Sequence, residues 1–302
     1  MNALDQFRDA ITAAGLEAPD VLLDDGALHR FSASGKRGDL SAWYVLHSDG
    51  VAAGVFGCWR AGLTSTWCAK SDKAMTPAEL AAHRQRVKAM KAQRAADEAA
   101  RLTGEADMAL ERWRAAAAPG AHPYLARKGI QPHGARRDGP MLLIPLRDTT
   151  GKLHSLQTIT PDGEKRFKGR MRGCYHAIGA KPPESILVIC EGFATGASIN
   201  EATGQPVAVA FNAGNLAPVA AALHKAYPAL VLVLAADDDW RTEGNPGITA
   251  ARQAALAVGG FVVAPRFPAG RPPKATDFND LAALAGLGAV RACFNEIVEF
   301  VC

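Results

Sequence analysis

SILVICEG (residues 185–192) and LVLVLAADDD (residues 230–239) are the two stretches that decide how this chain folds. Each is an unbroken apolar run that ends on carboxylates. Two further apolar runs, VAVAF (207–211) and FVVAP (261–265), complete the set, and the helix-like segments LAPVAAALHKAY (216–227) and ITAARQAALAVG (248–259) alternate with them. Continuous runs of branched residues alternating with helices predict a parallel sheet covered on both faces, hence an α/β fold. In such sheets ligands bind at the carboxyl ends of the strands. The residues at those ends are Glu191-Gly192, Asn212 to Asn215, and Asp237-Asp238-Asp239.

Carboxylates gathered at one sheet edge repel one another and resist desolvation unless a cation neutralises them. Oxygen ligands without a neighbouring His or Cys cluster favour Mg²⁺ or Mn²⁺ over zinc. A further acidic segment, Thr276-Asp277-Phe278-Asn279-Asp280-Leu281, lies beyond the fourth run and can extend the cluster. The competing reading of Asp277 or Asp280 is a helix N-cap.

Working upstream, Pro119-Gly120 opens a segment with the helix-like HPYLARKGI and the strands MLLIPLRD and KLHSLQTIT around a Thr-Thr-Gly turn. It leads into KRFKGRMRG, expected as a loop, where Lys165, Arg166, Lys168, Arg170 and Arg172 crowd together. Phosphate contact explains that crowding better than packing does, a solvated hairpin tip being the alternative. From Thr76 to about Ala118 the sequence predicts a long basic helix with proline at its first position and a break near Gly104. Arg84, Arg86, Lys88, Lys91, Arg94 and Arg101 make its first half positive, which suits a phosphate backbone or simply a solvated connector. Before it, a short helix near Leu4–Ala14 precedes strand-like LHRFSA, AWYVLHS and GVFGCWRAG. Phe31, Trp43, Tyr44, Phe56, Trp59 and Trp67 there lie among Arg30, Lys36, Arg37, Arg60 and Lys70, as core aromatics or as a stacking surface.

The 302 residues, 48% hydrophobic and 21% charged, describe an ordinary soluble protein, and a net charge of +4 proves no polyanionic partner. No run is long enough for a membrane span and the start lacks a signal-peptide pattern, so no membrane partner and a cytoplasmic location are expected. Six scattered cysteines without a CxxC pair read as reduced packing thiols; Cys58, Cys68 and His29 make at most a weak zinc set.

Glu-Gly closing one strand, Asp-x-Asp closing a later one, then Gly247-x-x-Ala250 resembles the Toprim domain of DnaG-type primases, topoisomerases and some nucleases. AADDDWRTEGNPGITAA followed by KATDFNDL is especially similar to Toprim primases of plasmids, phages and integrative elements. LLIPLRDTTGKLHSLQTITPDGEKRFKGRMRG is similar to the basic subdomain that precedes Toprim in the DnaG-type core. The resemblance spans roughly Pro123–Arg291. It implies a four-stranded parallel Toprim sheet between helices at 183–302, a basic α+β subdomain at 119–182, a helical connector at 74–118 and a small β-rich module at 1–73.

By the same resemblance Glu191 is the general acid or base, and Asp237 and Asp239 hold magnesium while Asp238 points away. Asp277 and Asp280 are further metal-side acids. Arg147, Lys165, Arg166, Lys168, Arg170 and Arg172, with Asn212 and Asn215 at the second strand end, are expected to take template or nucleotide. Relative to replicative primases two departures are expected within these 302 residues: no Cys/His zinc module at the front and no helicase domain. The expected function is a primase joining nucleoside triphosphates on single-stranded DNA with Mg²⁺ or Mn²⁺, partnered by a replicative helicase. A Toprim nuclease and a non-catalytic nucleic-acid-binding protein of a mobile element are the alternatives. A topoisomerase is disfavoured because the tyrosine that follows, Tyr227, is predicted to lie within a helix.

Overall fold

The computed structural model of the chain describes residues 2–36, 38–48, 50–70, 75–179 and 185–301. Arg37, Cys302, the side chain of Glu79 and the expected domain boundaries at 73/74 and 182/183 lie outside the described residues. The chain divides into two compact units, Met1–Asp97 and Glu98–Cys302.

In the first unit, α1 (Ala3–Ala13) starts where the Asn2 side chain accepts the Asp5 N–H at 2.8 Å. The helix lays Phe7 and Ile11 on a four-stranded antiparallel sheet of β1 (His29–Phe31), β2 (Ala42–His47), β3 (Ala53–Cys58) and β4 (Leu63–Cys68), in that order. Phe7 meets Tyr44 and Phe56 edge-on at 5.9 and 5.7 Å. Tyr44, Phe56 and much of Trp67 are therefore core. β4 was not foreseen, because LTSTWC carries too little apolar alternation. The helix α2 (Pro77–Ala115) begins in this unit, and its course through Gly104 corrects the expected break: it is continuous over 39 residues. Gly104 is one weak helix former in a run of strong ones, and neighbours with high propensity carry the helix across it.

The second unit holds the rest of α2, the short α3 (Pro123–Lys128) and two sheets. One is antiparallel in the order β5 (Arg136–Asp138), β6 (Met141–Arg147), β7 (Leu153–Ile159), β8 (Lys165–Gly169). The other comprises β9 (His176–Ile178), β10 (Ile186–Cys190), β11 (Val207–Val209), β12 (Val231–Ala235) and β13 (Phe261–Val263), ordered β13-β12-β10-β11-β9. The expected four-stranded parallel sheet thus needs correcting to a five-stranded mixed one. β13, β12, β10 and β11 run parallel, while β9 joins the edge antiparallel to β11. Three residues are too few to announce such a strand in sequence.

Helices α4 (Phe193–Thr203) and α7 (Phe278–Val301, interrupted at Gly286) cover one face, and α5 (Ala213–Ala226) and α6 (Pro246–Val258) the other. Gly196 makes the α4 contact possible, since a Cβ there would stand 2.8 Å from Val209 and 3.0 Å from the Cys190 sulfur. Tyr124, Leu142, Ile144 and Ile159 share the α4 core, which fixes the antiparallel sheet beside the mixed one. Among the described residues no helix is long and apolar enough to cross a membrane.

KRFKGRMRG also departs from expectation: Lys165–Gly169 is the edge strand β8, not a loop. Strand alternation then splits the basic cluster between two faces. Thr158 and Leu156 stand opposite Arg166 and Lys168, and Leu156 packs with Ala109 of α2. Gln157 and Ile159 stand opposite Phe167 and Lys165, on the side that Ile159 buries against Tyr124 and Phe193.

Candidate active site

The carboxyl ends of β10, β12 and the start of α7 bring four acids into one electrostatic neighbourhood. Glu191 follows β10, and its Oε1 is buried with no hydrogen-bond partner. Burial, then the Asp239 charge, pushes this carboxyl up to about 7, although the Ala213 N–H at the start of α5 opposes the shift. Asp237 follows β12, and its Oδ1 is likewise buried and unpartnered. Burial acts first on it, then Asp277, Glu191 and Asp239, and together they raise it to about 8 against the pull of Lys165. Asp277 is also raised, by burial and then Asp280.

The loop after β12 is tightly braced. Asp239 Oδ2 accepts the Gly247 N–H at 3.1 Å, which sets this acid on the first turn of α6. Only glycine permits that approach: a Cβ at 247 would stand 2.3 Å from the Asp237 carbonyl oxygen and 3.1 Å from Asp239 Oδ2. Asn245 caps α6, accepts the Asp239 N–H at 2.9 Å and donates to Asp238 Oδ1 at 2.6 Å. Asp238 turns aside to Arg271, whose guanidinium donates to its Oδ2 at 2.5 Å and to its carbonyl at 2.7 Å.

Asp277 and Asp280 cap α7. Asp277 Oδ1 accepts the Asp280 N–H at 2.8 Å, and Asp280 Oδ2 accepts the Thr276 and Asp277 N–H groups at 2.9 and 3.4 Å. This reciprocal pattern is a capping box built from two aspartates. Asp277 still reaches the acid neighbourhood, where its Oδ2 accepts the Thr195 hydroxyl at 3.1 Å. Asp280 is engaged with backbone donors.

Of the basic candidates, Lys165 joins the acids. The residue is exposed, yet burial and Lys128 lower its ammonium pKa while Asp277 and Asp237 act the other way. Arg166 pairs with Glu164 at 3.0 Å and, with Lys168, lines a hollow beside α2. Arg170 donates to the Arg172 carbonyl at 3.3 Å in the turn after β8. Arg147 stands apart, donating to the Gly151 carbonyl at 2.8 Å in a cavity of about 460 Å³ shared with Asp148, Tyr175 and Tyr227. Asn212 caps α5 by accepting the Asn215 N–H at 2.9 Å. Asn215 is buried: it donates to the Cys174 and Ala210 carbonyls and accepts the Gly173 N–H at 2.8 Å, so it clamps the turn after β8 to the strand end.

Several participants escaped the sequence reading. Phe211 holds φ at +75°, a left-handed backbone costing a side-chain-bearing residue roughly 1–3 kcal/mol, and its N–H donates to the Glu191 carbonyl at 2.7 Å. Its ring meets Phe167 edge-on at 5.6 Å, linking β8 to this strand end. Tyr124 presents a buried hydroxyl without a partner, pushed up to about 12 by burial and then by Asp277. Thr195 and Lys128 act on Asp277, as does Arg271 on Asp238, from segments whose sequence carries no signal beyond residue type.

Among the described residues no three Asp, Glu, His or Cys side chains stand as a ready-made metal cage. The donor set nonetheless fits a hard divalent cation: two orphaned carboxylate oxygens and mutually raised pKa values are what an oxygen-binding ion relieves.

Comparison with known proteins bears on the family of this domain. Residues 186–287 match the model of the Toprim domain family. The chain is 37% identical over 284 residues to a DNA primase TraC of Escherichia coli, covering 88% of this chain and 27% of that protein. It is 36% identical over 311 residues to another Escherichia coli DNA primase TraC, covering 94% and 21%. It therefore spans about a quarter of the length of these relatives. Among solved structures, the primase fragment of the bacteriophage T7 primase-helicase protein superimposes with a TM-score of 0.43 at 15% identity, over 82% of this chain and 94% of that one.

Proposed function

We propose that this chain, which carries a Toprim domain and is related along most of its length to DNA primases, is a nucleotidyltransferase that synthesises short primers on single-stranded DNA. The observation that carries the reading is the pair of buried, partnerless carboxylate oxygens on Glu191 and Asp237, set at adjacent parallel strand ends with Asp239 and Asp277 beside them. Mg²⁺ or Mn²⁺, when bound, neutralises this cluster and supplies charge stabilisation to the phosphates undergoing transfer.

In this reading Asp237 and Asp239 hold the ion, and the Gly247 N–H fixes the Asp239 carboxylate for that task. Glu191, poised near neutrality, takes the proton from the attacking 3′-hydroxyl. Lys165 faces the triphosphate from β8. Asp277 and Asp280 support the site, the latter through the α7 cap. Arg170, Arg172 and Asn212 contact template or nucleotide near the strand ends and Arg147, Arg166 and Lys168 contact it farther out, while Asn215 secures the turn that follows Arg170 and Arg172. The β-rich module (1–73), connector helix (74–118), basic subdomain (119–182) and Toprim part (183–302) serve as the working parts. A replicative helicase is the proposed protein partner and the cytoplasm the proposed location.

Purified protein given single-stranded DNA, labelled nucleotides and Mg²⁺ tests the reading. Short oligomers support it. Fragmented DNA would make the protein a nuclease, and binding without either product would make it a non-catalytic nucleic-acid-binding protein.

A further inference from the structure

The first unit has a polarity that the catalytic reading does not use. Between Gly26 and Ala96 the sequence carries eleven lysines and arginines against four acids, whereas Asp5, Asp9, Glu17, Asp20, Asp24 and Asp25 crowd the segment before it. The four-stranded sheet of this unit presents two faces. Its one face takes α1 through Phe7 and Ile11 against Tyr44, Leu46 and Phe56. Strand alternation sends Trp43, Val45 and His47 of β2 to the other face.

That other face forms an open groove against the first half of α2, with a cavity of about 410 Å³. Val45 and Val55 floor it, and Arg86, Lys91 and Arg94 line its α2 side. Further along the same face, Trp43 stacks on Trp59 at 5.6 Å between ring centres. Gly57 on β3 keeps that place open: a Cβ there would stand 3.1 Å from the Trp43 ring and 2.2 Å from the Leu63 carbonyl oxygen. Arg30 lies 4.6 Å above the Trp59 ring, and Trp59 remains 50% exposed. Burying both indoles in the core would have stabilised the module more than leaving one half open to water.

We propose that this groove is a track for single-stranded DNA, separate from the carboxylate centre. The half-exposed Trp59 ring accepts an unstacked base once Arg30 swings from it to a phosphate, and cations spaced along one helix accept the neighbouring phosphates. Duplex DNA offers the cations its phosphates but keeps its bases from the rings. The inference does not depend on the catalytic reading, because it predicts binding whether or not nucleotides are joined.

Fluorescence anisotropy of a labelled single-stranded thymidine oligomer with the full chain tests it, using Lys91→Glu with Arg94→Glu, Trp59→Ala, and, as the comparator, Lys225→Gln, which removes an exposed cation from the last turn of α5. The charge variant should lose at least about tenfold in affinity, and the slope of log affinity against log salt should drop by about 0.7 for each lost phosphate contact. Trp59→Ala should lose roughly tenfold, the scale of one base stacked on an aromatic ring, without a change in slope. Lys225→Gln should bind as wild type does. Thermal melts confirm folding, with Lys91→Gln and Arg94→Gln as a gentler pair if the reversal fails to fold. Unchanged affinity and slope in the charge variants would overturn the proposal, as would a loss for Trp59→Ala on duplex DNA equal to its loss on the single strand, or a loss for Lys225→Gln equal to that of the charge variants. A protein that binds with these properties yet makes no primer would refute the catalytic reading and leave the track standing.

Discussion

Asp237→Asn should stabilise the metal-free protein, and the gain should grow with pH. Asp237 sits with one orphaned oxygen among Asp277, Glu191 and Asp239, and its pKa rises from 3.8 to about 8. A carboxyl whose folded pKa exceeds its unfolded value has its full stability below the unfolded pKa and loses it as pH rises towards the folded pKa. The penalty therefore develops between about pH 4 and pH 8. At about 1.4 kcal/mol for each pH interval it has an upper bound near 6 kcal/mol, which side-chain relaxation and water entry reduce to roughly 2–4 kcal/mol. Asparagine keeps the shape without the charge. For a unit of about 200 residues each kcal/mol moves the Tm by about 2–4 °C, so the variant should melt about 5–10 °C higher at pH 8.5 in chelator. At pH 5 only about a third of that gap should remain. Adding Mg²⁺ at pH 8.5 should raise the wild type and leave the variant nearly unmoved. Equal melting of the two proteins at pH 8.5, or a gap independent of pH, would refute the reasoning.

Other substitutions probe the braces of the site. Glu191→Gln should cut primer synthesis by roughly 10²–10⁴-fold while metal affinity changes much less than in Asp237→Asn; rescue of its rate by excess metal would make Glu191 a ligand instead. Gly247→Ala should abolish synthesis and lower the Tm, because its Cβ collides with the Asp237 carbonyl; wild-type activity would contradict the close approach of α6. Arg271→Ala should destabilise by roughly 3 kcal/mol, read in denaturant melts, since it leaves Asp238 half-buried without its cation; no change would mean that Asp238 turns to solvent. Asn215→Ala should cost about 2–3 kcal/mol by orphaning two carbonyls and the Gly173 N–H; an unaltered denaturation midpoint would show that water replaces it.

The strands that carry the acids were legible because ILVIC and LVLVLAA are long, branched and buried on both faces, so periodicity and burial point the same way. β4, β5 and β9 were not, since short or polar strands gain their stability from pairing rather than from their own apolar content. The face of each basic residue in KRFKGRMRG depended on recognising β8 as a strand, which only its register with β7 reveals. Residue type identified Glu191, Asp237 and Asp239 as candidates. It could not divide the work of Asp280 and Asn215, because the same side chains serve as ligand or as cap depending on which backbone groups reach them. Arg271 and Tyr124 were beyond sequence reading for the same reason: their partners are brought to them by the fold.

Counting Mn²⁺ bound to the protein by electron paramagnetic resonance, in wild type, Asp237→Asn and Asp239→Asn at pH 8, tests most directly the claim that these carboxylates form a cation-binding centre. The wild type should take up Mn²⁺, compete it with Mg²⁺, and lose at least about tenfold in affinity in each variant. Equal Mn²⁺ binding by all three proteins, or none by the wild type, would contradict it.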